Sequence, residues 1–165
     1  MNATTGYRRA LALAVTLPLL LLAGLLVAQE VDTGEGEAIY QVECAVCHQP
    51  TGAGIPPAFP PLADHMYELV GAEGGRTYPI LVVLYGLAGE ISVHGQVYDG
   101  LMPPLAHLTD EQIADVLNYT MVAWDDVEQL EEPFEPYMPE EVAEERGQDL
   151  TPMEVHMIRA TLDLD

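Results

Sequence analysis

The sequence predicts an all-α protein: a small domain of about four short helices, preceded by a hydrophobic helix and followed by an acidic, partly helical extension. Three observations support this prediction. Residues 35–46 and 110–124 carry apolar side chains at helical spacing, residues 10–28 form an uncharged apolar run, and residues 125–165 are strongly acidic and interrupted by prolines. Strand signals are confined to two stretches of three residues, which do not change the fold class.

Residues 1–28 are predicted to be a secretory signal or a transmembrane anchor. Their apolar run, residues 10–28, contains 19 residues and follows Arg8 and Arg9. As a helix it would span roughly 28 Å, close to the thickness of a bilayer core. The run is longer than a usual signal core, and Leu26 is larger than the small residue expected just before a cleavage site, which slightly favours the anchor. An anchor would hold the arginines on the cytoplasmic side, and both alternatives export the rest of the chain.

The first predicted helix of the domain covers residues 35–46. Acidic residues near its start suit the positive end of the helix dipole. Gly36, Tyr40 and Cys44 are spaced four residues apart, so they share one face. The glycine on that face would let a second helix cross closely.

A loop and two short helices are predicted to follow. Residues 49–63 contain five prolines and two glycines, which predict irregular structure. Residues 64–71 are predicted to form a short helix. Residues 78–86 are predicted to form a second one, and because they are almost wholly apolar they should be buried.

The last elements of the domain are a hairpin and a long helix. Residues 91–93 and 96–98 flank a His-Gly turn and predict two strands of three residues. The helix at residues 110–124 should begin at a capping box, in which Thr109 and Gln112 bond each other's backbone N–H groups.

The two cysteines of the chain lie together in the sequence Cys44-Ala-Val-Cys47-His48. A structural zinc site needs four ligands, and no second cysteine pair is present. A thioredoxin-like dithiol should follow a strand, whereas the residues before Cys44 are predicted to be helical. Covalent haem attachment uses all three residues, because thiols at this spacing reach two vinyl groups on one haem edge and the histidine reaches the iron. A plain disulfide is the alternative.

Met102 is the favoured second axial ligand. It lies in Tyr-Asp-Gly-Leu-Met-Pro-Pro, 54 residues after His48, which is enough chain to pass around a porphyrin. The prolines after it fix the backbone direction, and the glycine before it permits close approach. His94 and His107 are the rival ligands. The other methionines lie in the acidic tail, at the start, too close to His48, or in a helical core pattern.

Several motifs together resemble a class I (monohaem) cytochrome c, similar to the cytochrome domains or subunits of periplasmic dehydrogenases, nitrite reductases and oxidases. The resemblance covers residues 34–124, after a linker at residues 29–33. The matching segments are Gly36 and Tyr40 with the Cys44–His48 motif, Thr51 to Leu62, Gly86 to Gly89, Ile91 to Tyr98, Gly100 to Pro104 and Leu108 to Tyr119.

The resemblance implies a domain wrapped around one covalently bound c-type haem, with the first and last helices paired. It implies thioether bonds at Cys44 and Cys47, and His48 and Met102 as iron ligands. It places Pro60 and Leu62 in the haem pocket, with a proline carbonyl accepting the ring N–H of His48; Pro60 matches that position best, and Pro61 is the alternative. The haem would supply much of the core of so small a domain.

The implied function is electron transfer between redox proteins, by a carrier and not by an enzyme. With both axial positions filled, the iron would cycle between its ferric and ferrous states without binding oxygen or substrate. One alternative is a permanent haem subunit of a membrane-associated oxidoreductase complex. Another is a haem enzyme or sensor with an open iron position, although no acid–base or nucleophile motif accompanies the haem motif.

The acidic extension, residues 125–165, lies outside the resemblance. It has 14 acidic residues and two arginines. Residues 139–146 and 152–161 are predicted to be helical, and Thr151 with Glu154 predicts a capping box at the second helix. The extension could be a solvated tail, a partner-binding arm, or a docked segment. If it docks, the apolar contacts would come from Met153, Met157, Ile158 and Leu162.

The net charge of −22 limits the partners. The chain has 27 acidic residues, five arginines and no lysine, which excludes nucleic acid as a partner because a phosphate backbone is bound by clustered positive charge. The charge instead predicts a redox partner with a basic docking face: a dehydrogenase, a quinol-oxidising complex, or a terminal oxidase or reductase. The protein is predicted to lie on the outer side of the cell membrane, anchored through residues 10–28, or to be soluble in the periplasm after signal cleavage.

Overall fold

The computed structural model describes residues 33–164. The predicted signal or anchor at residues 1–28 and most of the linker lie outside this range. Within residues 33–164, no helix combines the length and the apolar character needed to cross a bilayer.

The first helix continues through a wider turn into the cysteine motif. Helix α1 (Gly34–Ile39) is followed by a π-helical turn (Tyr40–Cys44) and by α2 (Ala45–His48). Ala45 donates its backbone N–H to the carbonyl of Tyr40, five residues back. The sequence predicts one regular helix here, and its periodicity gives no signal for the extra residue that a π turn accommodates.

Helix α1 crosses α5 (Asp110–Val122) in direct backbone contact. A Cβ atom added to Gly36 would lie 2.2 Å from the carbonyl oxygen of Asp115, so only glycine fits. Tyr40 is fully buried one turn later, with its ring 5.3 Å from that of Tyr119 and 5.2 Å from that of Trp124. The predicted pairing of the first and last helices of the domain is therefore confirmed.

The capping box at the start of α5 is also confirmed. Thr109 Oγ1 accepts the backbone N–H of Gln112 at 3.2 Å, and the Gln112 side chain accepts the backbone N–H of Thr109 at 3.0 Å. The helix ends at Val122, so Trp124 packs on Tyr40 from beyond its end.

Two short helices build the other side of the domain. They are α3 (Met66–Gly71) and α4 (Tyr78–Tyr85), joined by a 3₁₀ turn (Gly75–Thr77). Almost every side chain of α4 is buried, as its apolar sequence predicts. The loop at residues 49–63 has no regular element beyond one bridge between Ile55 and Phe59.

The hairpin is longer than predicted. Strands β1 (Leu87–Val93) and β2 (Gln96–Met102) pair antiparallel over seven residues each, from Leu87 opposite Met102 to Val93 opposite Gln96. His94 and Gly95 both have positive φ, the geometry of a tight hairpin turn. The predicted strands of three residues were too short, because glycines and acidic residues in the middle of the ladder have low strand propensity.

The acidic extension is docked onto the domain. After a 3₁₀ turn (Asp126–Gln129), it forms α6 (Pro139–Glu145) and α7 (Pro152–Arg159), and α7 begins at the predicted Thr151–Glu154 capping box. Its buried apolar anchors are Tyr137, Val142 and Val155. Met153 and Met157 remain 52% and 56% exposed, so the prediction that they dock was wrong, while Ile158 and Leu162 pack at the edge of the core.

Two arginines hold the extension through charged hydrogen bonds. Arg76 of the domain bonds both carboxylate oxygens of Glu141, at 2.7 and 3.0 Å, and stacks 4.5 Å from the ring centre of Tyr137. Arg146 of the extension bonds Asp110 at 2.6 Å and also reaches two carbonyls ahead of α5. Burial raises the pKa of Glu141, but the bond to Arg76 outweighs it and lowers the pKa overall.

Asp126 is a fully buried carboxylate at the start of the extension. It accepts the backbone N–H of Tyr67 at 3.0 Å and of Asp64 at 3.2 Å, and so binds the first turn of α3. Burial raises the pKa of Asp126 to about 6, although these hydrogen bonds oppose the rise.

The close crossing of α1 and α5 predicts that alanine will destabilise the protein at one glycine position but not at another. Gly36→Ala should lower the free energy of unfolding by about 2–3 kcal/mol, because the new methyl group meets the backbone of Asp115. Gly147→Ala is the matched control: nothing lies within 4 Å of its added Cβ, so stability should change by less than about 1 kcal/mol. Denaturant unfolding of the haem-loaded protein measures both, and equal effects would contradict the close crossing.

The buried carboxylate predicts a pH dependence. The pKa of Asp126 is higher in the folded than in the unfolded chain, so folded protein binds this proton more tightly. Its contribution to stability is fully present below the ordinary pKa of 3.8 and is lost as pH rises through about 6. Wild type minus Asp126→Asn should therefore show a stability difference that moves by about 1–2 kcal/mol between about pH 4.5 and 7. A difference that is flat with pH would refute the assignment.

Candidate functional site

One cleft brings together every site residue that the sequence predicts. It lies between the cysteine motif, the proline-rich loop, the hairpin and α5, and holds about 1250 Å³ of free space, counted out to its open mouth. Its walls include Cys44, Cys47, His48, Pro60, Leu62 and Met102. Most of the remaining lining is apolar, so the cleft suits a large flat hydrophobic group.

His48 is buried and held in one orientation by the proline-rich loop. Its Nδ1 lies 2.9 Å from the carbonyl oxygen of Pro60, which can only accept, so Nδ1 carries the proton and Nε2 keeps its lone pair. Burial lowers the pKa of His48, although the bond to Pro60 opposes the effect. A neutral imidazole with a free Nε2 is the form that ligates a metal.

The loop is folded tightly enough to present the Pro60 carbonyl to the histidine. Gly54 donates to the carbonyl of His48 at 3.0 Å, and Leu62 donates to that of Gly52 at 2.7 Å. A Cβ on Gly54 would lie within 2.5 Å of the carbonyl oxygens of Phe59 and Pro60. The hydrogen bond between His48 and Pro60 that the resemblance implies is therefore present.

Cys44 and Cys47 stand on the same wall as His48. Both are partly exposed, and both thiols are free. They are one helical turn apart, because Cys44 ends the π turn and Cys47 lies in α2. Two thiols in this relation can form two thioether bonds to one edge of a flat ligand.

Met102 lies on the cleft at the end of β2. Its backbone is fixed on both sides, since it pairs with Leu87 across the hairpin and precedes two prolines. A Cβ on Gly86 would lie 2.5 Å from the carbonyl oxygen of Met102, so the chain passes closely there. Among residues 33–164, the only other methionine on the cleft is Met66, which is buried in the core.

The two rival histidine ligands lie outside the cleft. His94 occupies the hairpin turn, with Nε2 3.3 Å from Glu68. His107 is mostly exposed and faces Glu43 at 3.4 Å. Neither lines the cleft.

Three polar residues of the cleft were not singled out from the sequence: His65, Tyr78 and Arg159. His65 donates a hydrogen bond to Glu68 at 2.6 Å and accepts one from the guanidinium of Arg159 at 3.3 Å. Burial lowers the pKa of His65 to about 4. The sequence offered one faint signal, a lone arginine on the apolar side of a helix in the extension.

The donor set of the cleft fits a c-type haem. Two thiols, a neutral imidazole and a thioether face one apolar space, together with a buried tyrosine hydroxyl that has no hydrogen-bond partner within residues 33–164. When bound, such a haem supplies an iron that takes up and releases one electron. The residues present therefore match both the apolar body and the iron of that group.

Comparison with known proteins gives consistent matches. Residues 34–124 match the family described as Cytochrome c. A protein named Cytochrome c-552, from one strain of Thermus thermophilus, is 49% identical over 145 residues, covering 88% of this chain and 94% of the relative. A second Cytochrome c-552, also from Thermus thermophilus, is 49% identical over 130 residues, covering 79% of this chain and 98% of the relative. Both alignments are longer than the family match, so the similarity extends beyond the domain.

Proposed function

Because the chain belongs to the cytochrome c family, with its covalently bound c-type haem and its electron-transfer role, we propose that it is an exported monohaem electron carrier with His48 and Met102 as axial ligands. The observation that carries the proposal is the convergence of these two side chains on one apolar cleft. They are 54 residues apart in the sequence and approach from a helix and from a strand.

The protein would contribute two ligand side chains held in fixed positions. His48 would offer Nε2 because Pro60 holds its Nδ1 proton. Met102 would offer its thioether sulfur from a backbone pinned by the hairpin and by Gly86. With both residues bound to it, the iron would offer no open position to oxygen or a substrate, which would favour electron transfer over bond-making chemistry. Thioether ligation raises the reduction potential relative to ligation by two nitrogens.

Electrons are proposed to enter and leave at the side of the cleft that carries Cys44 and Cys47. Val46 lies between the two cysteines and is 74% exposed, and Leu101, next to Met102, is 65% exposed. Cys44, Cys47 and Leu101 all line the cleft and are at least partly exposed. An apolar rim around a cofactor edge lets a partner exclude water and approach within electron-transfer distance.

Two features support the proposal that the protein is exported: the chemistry of the cysteine motif and the sequence of the first 28 residues. Haem is attached to such motifs outside the cytoplasm, and residues 10–28 are the segment that would direct the chain across the membrane. N-terminal sequencing of the mature protein distinguishes a retained anchor, which keeps residues 1–28, from a cleaved signal.

The partners are proposed to be redox proteins with basic docking faces, such as a dehydrogenase, a quinol-oxidising complex or a terminal oxidase or reductase. Residues 29–165 carry 27 acidic and three basic side chains, and the docked extension contributes 14 of the acids. The electrostatic field of these negative charges would steer a basic partner toward the molecule. The exposed apolar side chains around Cys44 and Cys47 would then make the final contact.

Ligation by Met102 has a spectroscopic test. The oxidised protein should show the red-region charge-transfer band of a methionine–iron bond, and Met102→Ala should abolish it and lower the reduction potential. Met66→Ala is the matched control, since Met66 also borders the cleft but packs in the core. It should destabilise the fold by about 2–4 kcal/mol and retain the band. Loss of the band in Met66→Ala but not in Met102→Ala would reverse the assignment.

Electrostatic steering has a kinetic test. The association rate with a basic electron acceptor should fall at least about tenfold between roughly 10 and 200 mM salt, because the Debye length shrinks from about 30 to about 7 Å. Val46→Ala, which leaves the charge unchanged, should slow electron transfer within the complex without altering that salt slope. A rate independent of salt would contradict the proposed role of the acidic surface.

A further inference from the structure

The cleft contains a buried tyrosine hydroxyl with nothing to bond. Tyr78 is 1% exposed and lines the cleft at the start of α4. Within residues 33–164, its hydroxyl is the one buried side-chain polar atom that has no hydrogen-bond partner. An orphaned donor inside a protein is costly, so its position on a ligand cleft indicates that the ligand carries the acceptor.

A buried arginine stands beside this hydroxyl. Arg159, in the last turn of α7, is 8% exposed and also lines the cleft. Its guanidinium carbon lies 5.8 Å from the ring centre of Tyr78. Burial raises the pKa of Tyr78, and the guanidinium beside its hydroxyl opposes that rise. Because a guanidinium can only donate, it gives the Tyr78 O–H no acceptor.

Arg159 differs from the other two arginines within residues 33–164 in having no carboxylate partner. Arg76 is paired with Glu141 and Arg146 with Asp110. The contacts of Arg159 are the carbonyl oxygen of Ser92 at 3.2 Å and Nε2 of His65 at 3.3 Å, and both use the single nitrogen Nη2. A buried positive charge without a counterion, in a chain with 27 acidic residues, indicates that an anion comes with the ligand.

The neighbouring cluster of His65, Glu68 and His94 does not explain this charge. A guanidinium can only donate, so Nε2 of His65 accepts, and Nδ1 carries the proton that is donated to Glu68. A metal on Nδ1 would force the proton onto Nε2, against the N–H groups of Arg159. Glu68 therefore orients His65 through one hydrogen bond, and His65 orients Arg159 through the next. Because Glu68 is bonded to His65, it does not serve as the counterion of Arg159.

We propose that Tyr78 and Arg159 bind a carboxylate of the haem, so that the C-terminal extension supplies a cofactor-binding residue from outside the cytochrome c domain. A haem carries two propionate side chains, its only anionic groups, and the rest of the ligand matches the apolar walls. The tyrosine O–H and the guanidinium N–H groups would donate to carboxylate oxygens, and charge-assisted bonds of this kind are among the stronger ones in proteins.

The pairing has a consequence for electron affinity. A fixed positive charge beside the haem favours the reduced state, which carries one positive charge fewer. Arg159 would also keep the haem carboxylate ionised in both redox states, so that no proton accompanies the electron. Apart from the haem-attachment motif, the titratable residues of the cleft wall are His65, Tyr78, Tyr98 and Arg159, with Glu68 and His94 behind His65.

The test measures the reduction potential of the haem-loaded protein between about pH 5 and 8. In wild type the potential should be nearly constant with pH. In Arg159→Gln the equilibrium constant for reduction should fall about tenfold at pH 8, which is about 59 mV for one electron. The potential of this variant should then rise as pH falls, because the released carboxylate takes up a proton on reduction. Arg159→Lys should restore most of the wild-type value.

Arg146→Gln is the matched control, because Arg146 also belongs to the extension but pairs with Asp110. It should loosen the extension and leave the potential and its pH slope unchanged. If Arg159→Gln and Arg146→Gln behave alike, Arg159 acts only on the fold and the proposal is overturned.

Tyr78→Phe gives an independent test. If the hydroxyl donates to the haem carboxylate, its loss should lower the thermal midpoint of the haem-loaded protein and introduce a weaker pH slope. If the hydroxyl is unpartnered even with haem bound, phenylalanine should raise the midpoint and leave the potential unchanged, and the proposal is overturned. This inference depends on the bound haem of the proposed function but not on Met102 as an axial ligand. The charge-transfer band tests Met102 separately, so failure of one proposal can be told from failure of the other.

Discussion

The contact between the backbones of α1 and α5 at Gly36 is the constraint on which the site depends. It fixes the direction in which the first helix runs, and the same chain continues without a break through the π turn to Cys44, Cys47 and His48. The facing helix supplies part of the opposite wall of the cleft through Val116, Leu117 and Thr120. One close approach therefore sets the distance between the attachment motif and the rear of the cleft. A larger residue at position 36 would shift both together.

The docked extension covers apolar surface of the domain that would otherwise be exposed to water. Val142 and Val155 are fully buried against the domain core, and Tyr137 exchanges two hydrogen bonds with Asn118 in the middle of α5. The two valines contribute only apolar contact, while Tyr137 adds satisfied polar groups, and most acidic residues of the extension remain on its outer surface. The extension is thus one segment with two faces: its inner face completes the core and the cleft, while its outer face carries much of the negative charge.

Local chemistry predicted most of the site, and long-range packing accounts for what it missed. The Cys44–His48 spacing and Met102 before two prolines are short-range patterns with a direct physical meaning, whereas the role of the Pro60 carbonyl came from the family resemblance. The cleft contains all of them. The buried role of Arg159 depends on a contact with His65, 94 residues away, which no local pattern encodes. The hairpin was predicted too short for a different reason, because residues of low strand propensity lie in the middle of its ladder. Helical periodicity likewise pointed to Met153 and Met157, whereas the docking angle of α7 buried Val155 and Arg159 instead.

The spread of the cleft along the chain has a kinetic consequence. Helical domains usually fold fast because their contacts are local, yet several contacts that hold this fold together join distant residues: 36 to 115, 76 to 141 and 65 to 159. Each of these three contacts can form only after the long segment between its two residues has closed into a loop, which costs conformational entropy. A cofactor tethered at Cys44 and Cys47 would give these distant segments a shared apolar surface on which to collapse. Covalent attachment would then do more than retain the haem: it would shorten the conformational search of the polypeptide around it.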